Sequence, residues 1–114
     1  MNDFAKQWVA ALRSGEYQQG TGRLRYKGRY CCLGVACTLY DPDGWEGDVY
    51  AGISERLPDH VMTALGLRMS SGQCSREGVN TSLVDLNDSG LTFAEIADVI
   101  EAEPEGLFVD ACEP

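Results

Sequence analysis

The sequence predicts an α+β fold, a single compact domain over residues 1–114 with several short helices around a small antiparallel sheet or hairpin. Three observations carry that expectation. Phe4, Trp8 and Leu12 recur at four-residue spacing, the period of one helix face. "RLRY" and "RYCC" flank Lys27-Gly28, as two strands flank a hairpin turn. "LTFAEIADVIEAEP" carries a helix cap ahead of an apolar stripe. At 114 residues the chain is long enough to bury roughly two-thirds of its unfolded surface without disulfide or metal staples.

Taken in order, the first helix starts at Asn2 or Asp3, is widened by Val9 and Ala11, and stops at Gly15. Residues 16–22 hold two glycines and little apolar content, and read as a loop. In the hairpin, Leu24 and Tyr26 are expected on one face and Arg23, Arg25 and Lys27 on the other. Leu33, Ala36, Cys37 and Tyr40 then follow helical spacing until "DPDG" stops them, which predicts a short helix central to the core. "WEGDVYAG" is open between loop and a further small strand. Pro58 suits a first helical turn, with Val61, Met62 and Leu65 inward and Gly66 closing. Residues 68–78 read as a polar, mobile loop, and "TSLVDLNDSG" as a short helix capped by Thr81. In the last helix Thr92 and Glu95 form a capping box, with Leu91 and Ile96 placed for a hydrophobic staple. Phe93, Ile96, Ala97 and Ile100 form its buried stripe, and Pro104 ends it.

Composition narrows the function classes. No run of apolar residues reaches the length of a membrane span, and the amphipathic N-terminus does not read as a secretory leader. The expected setting is therefore the cytosol of the cell that makes it, where five cysteines are thiols. A zinc site from Cys32, Cys37, Cys74 and His60 is arithmetically available, but the paired Cys-x-x-Cys spacing is missing, so neither metal nor other cofactor is expected. Catalysis has little to work with: one histidine, His60, would have to meet a cysteine and an orienting group. No catalytic residue is assigned.

Charge is divided unevenly in a chain of net −9. Residues 1–40 hold six Lys/Arg against two acids, and residues 41–114 hold three against sixteen. Four of the cations (Arg23, Arg25, Lys27 and Arg29) fall within seven positions, between Gly20-Thr21-Gly22 and the Cys31-Cys32 pair. They either balance the acidic half or hold an anion. Arginine forks match phosphate, and tyrosines beside them stack on a base. The anion reading assigns phosphate contacts to Arg23, Arg25 and Arg29, stacking to Tyr26 or Tyr30, and hydrogen bonds to Gln19 and Thr21, with Gly20 and Gly22 freeing the backbone. Two hairpins in a homo-oligomer could enclose a ligand that one cannot. A patch of this size suits a small phosphorylated aromatic ligand better than duplex DNA, which a net charge of −9 repels. Although "TFAEIADVI" resembles the first helix of a helix-turn-helix, no basic helix follows it.

The acidic half reads first as a solubilising face on helices, and it offers a sharper alternative. Asp98, Glu101 and Glu103, with Asp85, Asp88 and Glu105, present a negative surface to a basic host protein, in the manner of a nucleic-acid mimic.

Three blocks, "WVAALRSGEYQQGTGRLR", "YCCLGVACTLY" and "LNDSGLTFAEIADVIE", resemble recurring blocks of small uncharacterised accessory proteins of tailed bacteriophages. The resemblance runs from Trp8 to Glu101 and is weakest over residues 44–80. It transfers no catalytic residue. It implies a phage accessory protein in the host bacterial cytoplasm that acts by binding, either trapping a nucleotide-type signal of antiphage defence or inhibiting a host or defence protein.

Overall fold

In the computed structural model, which describes residues 1–109, five helices and three two-stranded antiparallel sheets share one hydrophobic core. The first helix, α1 (Asp3–Ser14), is capped by Asn2, whose side chain accepts from the Ala5 amide at 2.8 Å, and ends at Gly15 in the left-handed region. It buries Ala5, Trp8, Val9 and Leu12. The Trp8 indole N–H donates to the Cys32 carbonyl at 2.8 Å, so the largest core side chain also ties α1 to the next helix.

That helix, α2 (Cys32–Tyr40), is buried at every position from Cys32 to Cys37. An apolar run that leaves no polar face must be covered all round, and α1, α3, α4 and the first hairpin pack against it. It is the centre of the domain.

The hairpins share a turn chemistry. β1 (Arg25–Tyr26) and β2 (Arg29–Tyr30) are joined by Lys27-Gly28, and β5 (Gln73–Arg76) and β6 (Val79–Ser82) by Glu77-Gly78. Both central residues of each turn have positive φ, the geometry that matches strand twist and favours glycine second. Between them, β3 (Trp45–Glu46) and β4 (Val49–Tyr50) turn "WEGDVYAG" into a third hairpin.

Two expectations about the hairpins fail. The polar segment 68–78 contains β5 and the start of the longest hairpin. Only Cys74 of β5 is buried, so composition hides the strand; the Ser75 amide also bonds the Glu105 carbonyl at 2.8 Å. In the first hairpin Leu24 is fully buried while Tyr26 is 47% exposed, so they do not share a face. The ladder is two pairs long, too short to impose a two-residue period on Leu24. The Leu24 amide is held instead by the Ser54 carbonyl at 2.7 Å.

The remaining helices are α3 (Asp59–Leu65), α4 (Leu83–Asp88) and α5 (Phe93–Glu101). Pro58 stands just before α3 rather than inside it. Ser82, not Thr81, caps α4, accepting from the Asp85 amide at 3.0 Å. Both bonds of the Thr92–Glu95 capping box are formed on α5. Among the described residues no helix is long and apolar enough to cross a membrane.

Candidate anion-binding cleft

The segment 18–22 lies beside β2: the Tyr30 amide donates to the Gln18 carbonyl at 2.8 Å, and the Gly20 amide to the Tyr30 carbonyl at 2.7 Å. A Cβ on Gly20 would stand 2.8 Å from the Arg29 Cβ, so the glycine allows this close approach. From the other side α4 grips the segment. The Asn87 amide nitrogen donates to the Gly20 carbonyl at 2.8 Å, and the Gly22 amide donates to Asp88 Oδ1 at 3.0 Å.

Gln19 is spent on the same framework. Its amide nitrogen donates to Asn87 Oδ1 and the Leu91 carbonyl, at 3.0 and 2.7 Å, and its oxygen accepts from the Phe93 amide at 3.1 Å. Gln19, Gly20 and Gly22 thus shape the site more than they face a ligand. Thr21 is left exposed at the apex.

Gln19, Gly20, Thr21, Tyr26 and Arg29 line an open cleft of about 350 Å³. The Tyr26 ring has two cations near it, the Arg23 guanidinium carbon and Lys27 Nζ, each 5.3 Å from its centroid. Among the described residues Arg23, Lys27 and Arg29 form no ion pair. Arg23 also borders a second cleft of about 280 Å³, which includes Glu55 and Asp88.

Arg25 and Tyr30 are placed differently. The Arg25 guanidinium lies 4.3 Å from the Trp45 ring centroid, donates to the Gly47 carbonyl, and has its Nε 3.8 Å from Asp48 Oδ1. It fastens the first hairpin to the second. Tyr30 is half-buried, edge-on to Tyr17 and Trp45 at 5.3 and 6.3 Å. Of the nine residues assigned to a ligand from sequence, the cleft gathers five, and Arg23 joins them through Tyr26.

The acidic trio carries ion pairs of its own. Arg13 bonds Asp98 at 2.6 Å and Glu101 at 2.9 Å, joining α1 to α5, and the Met1 amine lies 3.3 Å from Glu103. The hydrogen bond from Arg13 holds the Glu101 carboxyl below the usual range. All three carboxylates remain exposed.

Cys31, Cys32, Cys37 and Cys74 are buried thiols. Burial pushes Cys31 up to about 11 and Cys37 to about 12, and raises Cys32 and Cys74 as well. Groups held protonated in this way are poor nucleophiles at neutral pH. His60 packs instead against Tyr40 and Tyr50, at 5.1 and 6.3 Å between centroids. Native protein at pH 8 is expected to take up iodoacetamide at these four cysteines at least tenfold more slowly than urea-unfolded protein, read peptide by peptide in the mass spectrometer. Labelling of Cys31 or Cys32 at the unfolded rate would return a thiol chemistry to consideration. Cys112 lies outside the described residues. Among the described residues no group of three or more His, Cys, Asp or Glu side chains is placed to hold a metal ion.

Sequence reasoning did not find Asn87 or Asp88 as parts of this site. A signal for Asn87 existed: Leu83, Leu86 and Asn87 fall at helical spacing, which puts an amide on the buried face of α4.

A family described as "Domain of unknown function (DUF8296)" matches residues 1–49, a little under half of the chain. That stretch is similar to the family and includes every residue lining the Tyr26 cleft, but not α4 beneath it. No curated protein and no solved structure matches the chain.

Proposed function

We propose that this is a phage accessory binding protein without catalytic activity, which sequesters a nucleotide-type signal of antiphage defence in the host bacterial cytoplasm. One observation carries the binding reading. The exposed Tyr26 ring has Arg23 and Lys27 within 5.3 Å of its centroid and Arg29 as its cross-strand partner, three cations with no carboxylate partner among the described residues, in a chain with twice as many acids as cations. What marks them is their clustering: three cations gathered at one exposed ring make a local positive patch in an acidic chain, which favours an anionic ligand. Phosphate suits Arg29 and Arg23, and a base suits the face of Tyr26. The phage and defence context comes from the three resembling sequence blocks.

The competing reading, an acidic inhibitor of a host or defence protein, has less support in the geometry. Asp98 and Glu101 already share Arg13, and Glu103 has the Met1 amine.

Thermal unfolding against a panel of mono-, cyclic di- and cyclic trinucleotides and ADP-ribose derivatives tests the proposal. A ligand at a hundred times its Kd adds about 2.7 kcal/mol, a rise of about 10 °C for a domain of this size. Arg23→Glu/Arg29→Glu is expected to abolish that rise. Neutralising Asp98, Glu101 and Glu103 together is expected to leave it intact. Arg25→Glu is the wrong probe, since it breaks the contact with Trp45. A flat panel sinks the nucleotide reading.

A further inference from the structure

We infer that the ligand of the Tyr26 cleft is a nucleoside polyphosphate, a single base carrying two or three linked phosphates. The inference rests on the nucleotide reading above and turns on the ratio of charge to ring. Sequence alone shows four cations and two tyrosines in the hairpin. The structure withdraws one of each: Arg25 is committed to Trp45, Gly47 and Asp48, and Tyr30 is packed edge-on between Tyr17 and Trp45. What faces outward is three cations (Arg23, Lys27 and Arg29) around one ring, Tyr26.

A phosphodiester, whether a strand or a cyclic dinucleotide, brings one negative charge per base. It would match one cation to each ring. Three cations to one ring match a ligand that concentrates charge beside one base, which is what a terminal di- or triphosphate does. The cleft, at about 350 Å³, is at the small end of ligand sites, the scale of one nucleotide unit rather than two. Arg23 and Lys27 each stand 5.3 Å from the Tyr26 centroid, within reach of phosphates attached to a base on that ring. Arg29 lines this cleft, while Arg23 stands at its edge, between it and the neighbouring cleft that holds Glu55 and Asp88.

The test is isothermal titration of the full chain, without divalent cations and at fixed salt, against mono-, di- and triphosphates of adenosine and guanosine, inorganic tripolyphosphate, and cyclic dinucleotides. In at least one base series, affinity is expected to rise about tenfold from monophosphate to diphosphate and further to triphosphate. Cyclic dinucleotides should bind no better than the monophosphate. Lys27→Asn removes the charge while keeping the positive-φ turn, because Asn-Gly favours this hairpin geometry. It should cut triphosphate affinity at least fivefold, and by a larger factor than it cuts monophosphate affinity. Tyr26→Ala should weaken the nucleoside triphosphate to the level of tripolyphosphate, without weakening tripolyphosphate itself. A cyclic dinucleotide binding more tightly than any diphosphate overturns this inference while leaving the nucleotide reading standing. Silence from every probe overturns both.

Discussion

Gly34→Ala is expected to lower the melting temperature by about 8–13 °C, from a loss of about 2–3 kcal/mol. Helix propensity alone argues the opposite, since alanine inside a helix is favoured over glycine by roughly 0.5–1 kcal/mol. The decisive fact is what the new methyl meets. A Cβ at Gly34 overlaps the Leu24 carbonyl oxygen and stands 2.8 Å from its carbonyl carbon and 3.3 Å from its Cα. These are backbone atoms and cannot rotate aside. The segment is also pinned, by the Leu24 amide to Ser54 at 2.7 Å and by the Cys31 amide to the Leu24 carbonyl at 3.1 Å. Relief therefore requires α2 and the entry to β1 to move apart. Because Leu24 leads directly into Arg25 and Tyr26, the variant should also lose its response to any ligand of the cleft at temperatures where it remains folded. Calorimetric melts of the two proteins decide the matter, and equal melting temperatures would show that α2 and Leu24 are not packed this closely.

Gly34 also illustrates what the sequence could and could not disclose. The helices were legible because their signals are local. Asn2 and Gly15 bracket α1, Thr92 and Glu95 cap α5, and the apolar residues between them keep the helical period. The Lys27-Gly28 turn was legible for the same reason. Glu77-Gly78 is the same signal at the second hairpin, but the flanking Gln73, Ser75 and Arg76 are polar, and only Cys74 marks an inward side. A strand with one buried side chain has no periodicity to read. The site was legible as a cluster of types, not as an arrangement. Nothing within residues 18–34 reveals that Arg25 turns toward Trp45, twenty positions away, or that Asn87 reaches Gly20 from α4. These are tertiary facts. They convert a list of nine candidates into a small outward-facing group and a larger set of residues that hold it in place.

Asn87 offers the second large effect, and it separates structural support from charge. The side chain is 1% exposed and fully used: Oδ1 accepts from Gln19 and from the Cys32 amide at 3.2 Å, and Nδ2 donates to the Gly20 carbonyl. Asn87→Leu strands the Cys32 amide and the Gly20 carbonyl and takes one of two acceptors from the Gln19 amide nitrogen, which keeps Leu91; each stranded group costs roughly 1–3 kcal/mol if it stays dry. A loss of about 3 kcal/mol or more is expected, a large part of the stability of a small domain. Asn87→Asp keeps the acceptor but replaces the donor with a second oxygen facing the Gly20 carbonyl. Burial and that oxygen both disfavour the charged form, so the folded-state pKa of the new carboxyl lies above its unfolded value. Between the two values the folded state binds more protons than the unfolded one, and stability rises as pH falls. Once protonated, the carboxyl can donate to Gly20 as the amide does. Urea unfolding at pH 7.5 and pH 5 should therefore show the gap between Asn87→Asp and the parent narrowing on acidification, whereas the gap for Asn87→Leu stays constant. Ligand response should follow the same course, returning in the Asp variant at the lower pH, because the amide acts by holding Gly20 and Gln19 in register with Arg29. If the Asp variant were as stable as the parent at pH 7.5, α4 could not be gripping the loop through this side chain, and the cleft would have to be shaped by Asp88 and the Tyr30 backbone alone.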